Sequence, residues 1–198
     1  MASTSSLLLF TGLLVAVGTA RVVELAVSNH RRRALVIRGA APVADPGFAA
    51  MVFVHAGVLA GACAEAWLVR RAPPPALAAA ALGLVIAANA LRLWVIATLG
   101  PHWNTRIMAS LPLGVVTAGP FRWIRHPNYV AVFVELAALP LVHAAWTTAI
   151  VGAGAHLWVL RGRIRAEEAM LLADPGYRAL MGGKPRFWPT PWGGRRAP

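Results

Sequence analysis

The sequence predicts an all-α integral membrane protein of about five transmembrane helices, the last two forming a C-terminal hairpin. Three observations carry the prediction. Of the 198 residues, 58% are hydrophobic and only 13% are charged, whereas a soluble domain averages roughly 45–50% and 25%. The apolar residues fall in runs long enough to cross a bilayer. The basic residues fall between those runs.

The composition excludes several classes. Mean hydropathy is +0.61, so there is ample apolar surface to offset chain entropy, and a disordered chain is ruled out. A single cysteine, Cys63, rules out a disulfide framework and a cysteine-rich zinc site. The 19 basic residues against 7 acidic ones give a net charge of +12. On a folded surface such an excess suggests nucleic acid. Here the charges sit in loops, which is the positive-inside signature of membrane topology instead.

The first span runs from Leu7 to Val27. Val17-Gly18-Thr19-Ala20 has the look of a signal-peptide cleavage site, but no basic residue precedes the apolar run, so a retained helix is expected. Arg21 and Glu24 share a helical face and can pair near the membrane boundary. A basic loop follows, with Arg31-Arg32-Arg33 and Arg38-Gly39-Ala40. The second span, Phe48–Val69, carries His55, Cys63 and Glu65. Proline lacks a donor and fixes φ, so Pro73-Pro74-Pro75 ends that helix. The third span, Ala76–Leu99, holds Asn89 and Arg92, which must turn toward protein or water. These spans make an N-terminal membrane region, residues 1–99.

From residue 100 to 198 the pattern changes. Residues 100–128 mix prolines and glycines with Trp103, Arg106, Arg122 and Arg125, as expected of an interfacial segment that lines a cavity. Tyr129–Leu160 is apolar and too long for one span, so it folds as a hairpin turning near Pro140-Leu141-Val142-His143. Arg161–Leu172 leaves the membrane as a helix, and Asp174-Pro175-Gly176 stops it. The tail to Pro198 is rich in Pro, Gly and Trp and is partly interfacial. This order places the N-terminus outside, the C-terminus in the cytoplasm and only Arg70 and Arg71 among the basic loop residues outside. The small residues of Gly152-Ala153-Gly154-Ala155 let helices approach closely.

Chemistry concentrates in Arg125-His126-Pro127-Asn128-Tyr129. Pro127 suits the first turn of a helix, whose free N–H groups and partial positive charge favour a bound carboxylate. Arg122 and Trp123 read as interface anchors. A second cluster is Arg163-Ile164-Arg165-Ala166-Glu167-Glu168. Arg163 and Glu167 share a face and could be an ordinary surface ion pair, or the acidic pair could bind an ammonium group or ribose hydroxyls while Arg163 orients an anionic acceptor. In Trp103-Asn104-Thr105-Arg106 the indole could stack on a flat ring that Asn104 bonds, or serve only as an interfacial anchor. His55, His102, His143 and His156 have no metal-ligand spacing and read as packed or interfacial residues. No metal site is expected.

Arg125-His126-Pro127-Asn128-Tyr129, preceded by Gly119-Pro120-Phe121 and followed about 40 residues later by Glu167-Glu168, resembles the isoprenylcysteine carboxyl methyltransferase family. The resemblance covers about residues 100–180. Arg21-Val22-Val23-Glu24-Leu25, the Arg-rich loop and Gly100-Pro101-His102-Trp103-Asn104-Thr105 also look like a bacterial subgroup linked to O-methylation of lipophilic polyketides such as alkylpyrones. The resemblance implies S-adenosylmethionine as methyl donor and a cytoplasmic cofactor-binding region. It implies that Arg125, His126, Pro127, Asn128 and Tyr129 hold the cofactor, with Val115, Val116 and Phe121 lining it and Glu167 and Glu168 engaging its polar groups. Arg163 and Asn104 would be catalytic, with Trp103 and Arg163 toward the acceptor. Two features depart from the family pattern: Ala131 stands where glycine is frequent, and the acidic run is reduced to two residues.

The expectation is therefore an enzyme of the bacterial cytoplasmic membrane that methylates a lipophilic carboxylate, acidic enol or phenol. Its partners would be that small molecule and membrane lipids, with no nucleic acid; the oligomeric state is open. Two other readings stand beside it. One is a non-catalytic lipid-binding subunit. The other is a sterol-reductase-like enzyme using NADPH, against which five spans argue.

Overall fold

The computed structural model describes residues 1–45, 47–109 and 114–189. Pro46, the 110–113 stretch with Pro112, and the tail from Thr190 with its Arg195-Arg196 pair lie outside the described residues. Among the described residues there are six α-helices: α1 (Thr4–Ile37), α2 (Phe48–Val69), α3 (Pro75–Leu99), α4 (Pro127–Ala138), α5 (Trp146–Leu171) and α6 (Pro175–Met181).

Helices α1, α2 and α3 are long and apolar enough to cross a membrane. Their exposed faces carry large apolar side chains such as Leu9, Phe53 and Ile86, a surface suited to lipid. The expected fourth and fifth spans are one hairpin. It turns through the 3-10 segment Pro140–His143 and then Ala144, whose φ is 54°. Neither arm has the length and composition of the first three. Helix α4 has 12 residues, about 18 Å at the rise of an α-helix. The apolar part of α5 stops at Leu160, after which Arg161, Arg163 and Arg165 follow.

Two local features differ from the sequence expectation. The basic stretch around Arg31–Arg33 is not a loop but the last turns of α1. Arginine is a good helix former, and no glycine or proline interrupts the run before Gly39, which takes a positive φ of 94°. The fold also contains a short antiparallel ladder, β1 (Ala41–Pro42) with β2 (Met108–Ala109), too brief to leave a periodic signal.

Hydrogen bonds show which segments share an end. At one end Ala2 N donates to Arg70 O at 2.8 Å, Arg71 Nη1 to Ala144 O at 3.3 Å, and Thr148 N to Glu65 Oε2 at 2.8 Å. At the other end Arg31 Nη1 donates to Gly100 O at 2.9 Å. The first end carries Arg70 and Arg71. The second gathers the basic end of α1, residues 100–109 and 114–126, and the charged half of α5. Leu7, Phe10 and Leu14 of α1 pack with Ala62, Ala66, Val85 and Leu139 at the first end. Near the second, Met51 packs with Val159, Leu160 and Ile164.

Helix α5 lies close on α2 because Gly152 lacks a side chain. A Cβ there would stand 2.5 Å from Val58 Cγ2, whereas Gly154 faces open space. Of the small-residue run, the close approach thus involves Gly152 and not Gly154.

Candidate functional site

Helix α4 begins at Pro127 and, among the described residues, no side chain caps its free N–H groups. Proline at N1 gives up a donor that the helix would not have used. The two residues before it are held by the chain's far end: Arg125 N donates to Pro185 O and His126 N to Arg186 O, each at 2.9 Å. Lys184 Nζ reaches Phe121 O at 2.7 Å. Residues 184–186 thus strap the start of α4, a contact without a sequence signal.

The buried His126 ring sits between α4 and α5. Its Nε2 lies 3.0 Å from Glu168 Oε1, and since a carboxylate only accepts, Nε2 donates. Arg125 Nη2 is 3.2 Å from the same oxygen. Arg186 forks onto Glu168, with Nε 3.0 Å from each oxygen and Nη2 2.6 Å from Oε2. Burial alone would raise the Glu168 carboxyl. The hydrogen bonds from Arg186 and His126, with Arg125 beside them, outweigh that and hold it below the ordinary carboxylate value. Glu167, one residue earlier, faces differently. Its Oε2 accepts from Tyr129 OH at 2.6 Å, and the Tyr129 ring packs 5.3 Å from that of His126.

Arg125, His126, Tyr129 and Glu167 border a cavity of about 290 Å³ that runs between the helices. Trp103, Asn104, Phe121, Arg125, His126, Pro127, Asn128, Tyr129, Arg163 and Glu167 line it. Val115 and Val116 are half-buried and do not. Glu168 does not line it either; all its contacts go to the groups around it. Asn128 Oδ1 is buried and has no partner among the described residues.

The loop from Trp103 to Ile107 forms one wall. Asn104 shapes it: Nδ2 donates to Ser28 O at 3.1 Å and Oδ1 accepts from Arg106 N at 2.8 Å. Trp103 is buried, with the Arg31 guanidinium 5.8 Å from its ring. Arg163 does not form the surface ion pair with Glu167 that its spacing allows. It is buried and pairs with Asp45 at 3.1 Å, and its Nη2 donates to Thr105 O at 2.7 Å. Arg106 also lines the cavity, with its guanidinium 3.9 Å from the Phe48 ring centre. Among the described residues it has no carboxylate within ion-pair distance. Asp45 and the cavity-facing role of Arg106 leave no signal in the sequence, where each is an isolated charge in a loop.

Residues 81–173 match the model of the isoprenylcysteine carboxyl methyltransferase (ICMT) family. Over this segment the chain is similar to the ICMT family. The match begins inside α3 and ends just after α5, so it contains both halves of the His126–Glu168 and Tyr129–Glu167 contacts. The uncharacterized protein YpbQ of Bacillus subtilis (strain 168) is 27% identical over 151 residues, 76% of this chain and 89% of the relative. The matched segment thus sits in a chain that is similar to a bacterial protein over most of the length of both.

Proposed function

We propose that the protein is an S-adenosylmethionine-dependent O-methyltransferase of the bacterial cytoplasmic membrane, acting on a lipophilic acceptor with an anionic oxygen. The observation that carries this reading is the joining of α4 to α5, through His126–Glu168 and Tyr129–Glu167, at the rim of a cavity that continues between the apolar helices. In this reading the second end of the bundle faces the cytoplasm and the hairpin completes five crossings.

The residues at the rim suit the donor. Its ammonium and ribose hydroxyls would find an acceptor in Glu167, its adenine amino group would find the unpartnered Asn128 Oδ1, and its carboxylate would find the uncapped start of α4. Glu168 is already surrounded by donors, so its part is to hold His126 and Arg125 in place. When bound, the cofactor would supply an electrophilic methyl group to the acceptor's anionic oxygen and leave as a thioether. The chain's own part is positioning and water exclusion. Arg106 and Arg163 stabilise the anionic oxygen before transfer. Since the acceptor arrives as an anion, no side chain has to remove a proton.

The acceptor enters from the bilayer between α1 and α2. Val22 and Val52 both line the cavity and are also exposed on the outside, 65% and 38% respectively, so the wall there is thin and apolar. The test uses purified protein in detergent. S-adenosylmethionine should raise the unfolding temperature, and labelled methyl should pass to a lipid extract, with Glu167→Gln weakening both. No stabilisation and no labelled lipid would defeat the proposal.

A further inference from the structure

The membrane half of the same cavity is walled by Arg21, Glu24, His55, Arg92 and His156, none of which the methyl-transfer reading uses. Glu24 is fully engaged. Arg21 Nη1 is 2.8 Å and 3.0 Å from its two oxygens, and Arg92 Nε is 3.0 Å and 2.9 Å from them, with Arg92 Nη2 also on Oε2. Arg21 Nη2 goes to Asn89 Oδ1 at 2.6 Å and stands 3.5 Å from the buried Glu135 Oε2. Donors remain over. Arg21 Nε, Arg92 Nη1 and both ring nitrogens of His156 are buried without a partner among the described residues. His156 is 0% exposed. The ring of His55 meets its edge at 5.9 Å, and His55 Nδ1 is occupied by Met51 O at 2.7 Å.

Unpaired polar groups buried inside a membrane are costly, and a pocket for a plain hydrocarbon tail would use leucine or phenylalanine at these positions. We infer that this deep end is a second recognition site, which takes a hydroxyl or carbonyl oxygen of the lipophilic acceptor through His156 and Arg92. The inference rests on reading the cavity as the acceptor site. Arg163 and His156 lie on the same buried face of α5, two helical turns apart, about 10 Å along the axis. The acceptor therefore carries two oxygens about that far apart. One lies near Arg163 and receives the methyl group; the other is anchored deeper.

Hydroxylated fatty acids serve as a molecular ruler. The probes are hexadecanoate and its forms hydroxylated at carbon 2, carbon 9 or carbon 16, titrated into the full-length protein in detergent with stabilisation as the readout. The carbon-9 form should bind about fivefold more tightly than hexadecanoate, the effect of one net hydrogen bond, and the other two should not. His156→Phe should abolish the preference and leave stabilisation by S-adenosylmethionine unchanged. A wild type that does not discriminate overturns the site, as does a variant that still discriminates. The wild-type comparison decides this alone, so a variant that fails to fold does not shield it. If the preference appears but S-adenosylmethionine gives no stabilisation, the methyltransferase reading falls while the polar lipid site stands.

Discussion

The guanidinium of Arg163 and the carboxylate of Asp45 lie 3.1 Å apart with 8% and 4% of their side chains exposed. Asp45 Oδ2 also accepts from Ile107 N at 3.3 Å, so the pair fastens the segment before α2 and the 103–107 wall to α5. Gly47 makes room for it, since a Cβ there would stand 2.9 Å from Arg163 Cγ. Removing one partner leaves the other charge buried. Arg163→Met should cost about 3–5 kcal/mol, measured by unfolding in detergent. Asp45→Leu combined with Arg163→Met should recover most of that loss. Methyl transfer should stay low in the recovered double variant, which separates contact with the acceptor from support of the fold.

Acid should loosen the junction of α4, α5 and the 184–186 strap through Glu168. Its carboxyl is depressed in the folded protein by Arg186, His126 and Arg125 against the opposing effect of burial, from an ordinary value of 4.5. A group depressed on folding stabilises fully above its unfolded value, and the contribution disappears as pH falls through the folded value. The gap in unfolding temperature between wild type and Glu168→Gln should therefore be constant at neutral pH and shrink below 4.5. A gap that instead grows in acid would contradict the assignment.

How much of this is legible in the sequence differs from element to element. The helices α2 and α3 can be bounded to within a residue or two, because Pro73–Pro75 and the 100–101 Gly-Pro step stop them chemically. The end of α1 cannot, because a run of charge suggests a loop while arginine also continues a helix. The meeting of His126 and Glu168 is invisible in spacing, since a hairpin separates them; only the family pattern suggests it. Arg163 shows the limit in reverse. Its regular spacing to Glu167 points to a local pair, yet the partner is Asp45, far along the chain. A histidine in an apolar run, such as His156, reads as packed, and it is packed; that both nitrogens lack partners beside a cavity only coordinates can show.

If the acceptor enters between α1 and α2, a bulky side chain at the thin part of the wall should obstruct it. Val22→Trp should raise the acceptor KM roughly tenfold, the order of effect of a poorly fitting apolar group, with the affinity for S-adenosylmethionine unchanged. Leu9→Trp is the control, because Leu9 is 77% exposed and lies away from the cavity. Equal effects of the two substitutions would point to a general disturbance of α1, and no effect of either would move the entrance elsewhere.

The contrast between Gly152 and Gly154 separates helix propensity from packing within one turn of α5. Alanine is the better helix former at both positions by about 0.5–1 kcal/mol. At Gly154 nothing among the described residues lies within 4 Å of where an added methyl would sit, so Gly154→Ala should be neutral or stabilising by that amount. At Gly152 the new methyl would fall 2.5 Å from Val58 Cγ2, and α2 must move away or Val58 must leave its rotamer. Gly152→Ala should therefore destabilise by about 1–3 kcal/mol in spite of its propensity gain. Adding Val58→Ala should relieve the clash, so the pair should be less damaging than the sum of the two single changes. Since Val58 also packs on Val132 and Leu136 of α4, the strain should pass to the hairpin, and S-adenosylmethionine affinity should fall with Gly152→Ala but not with Gly154→Ala.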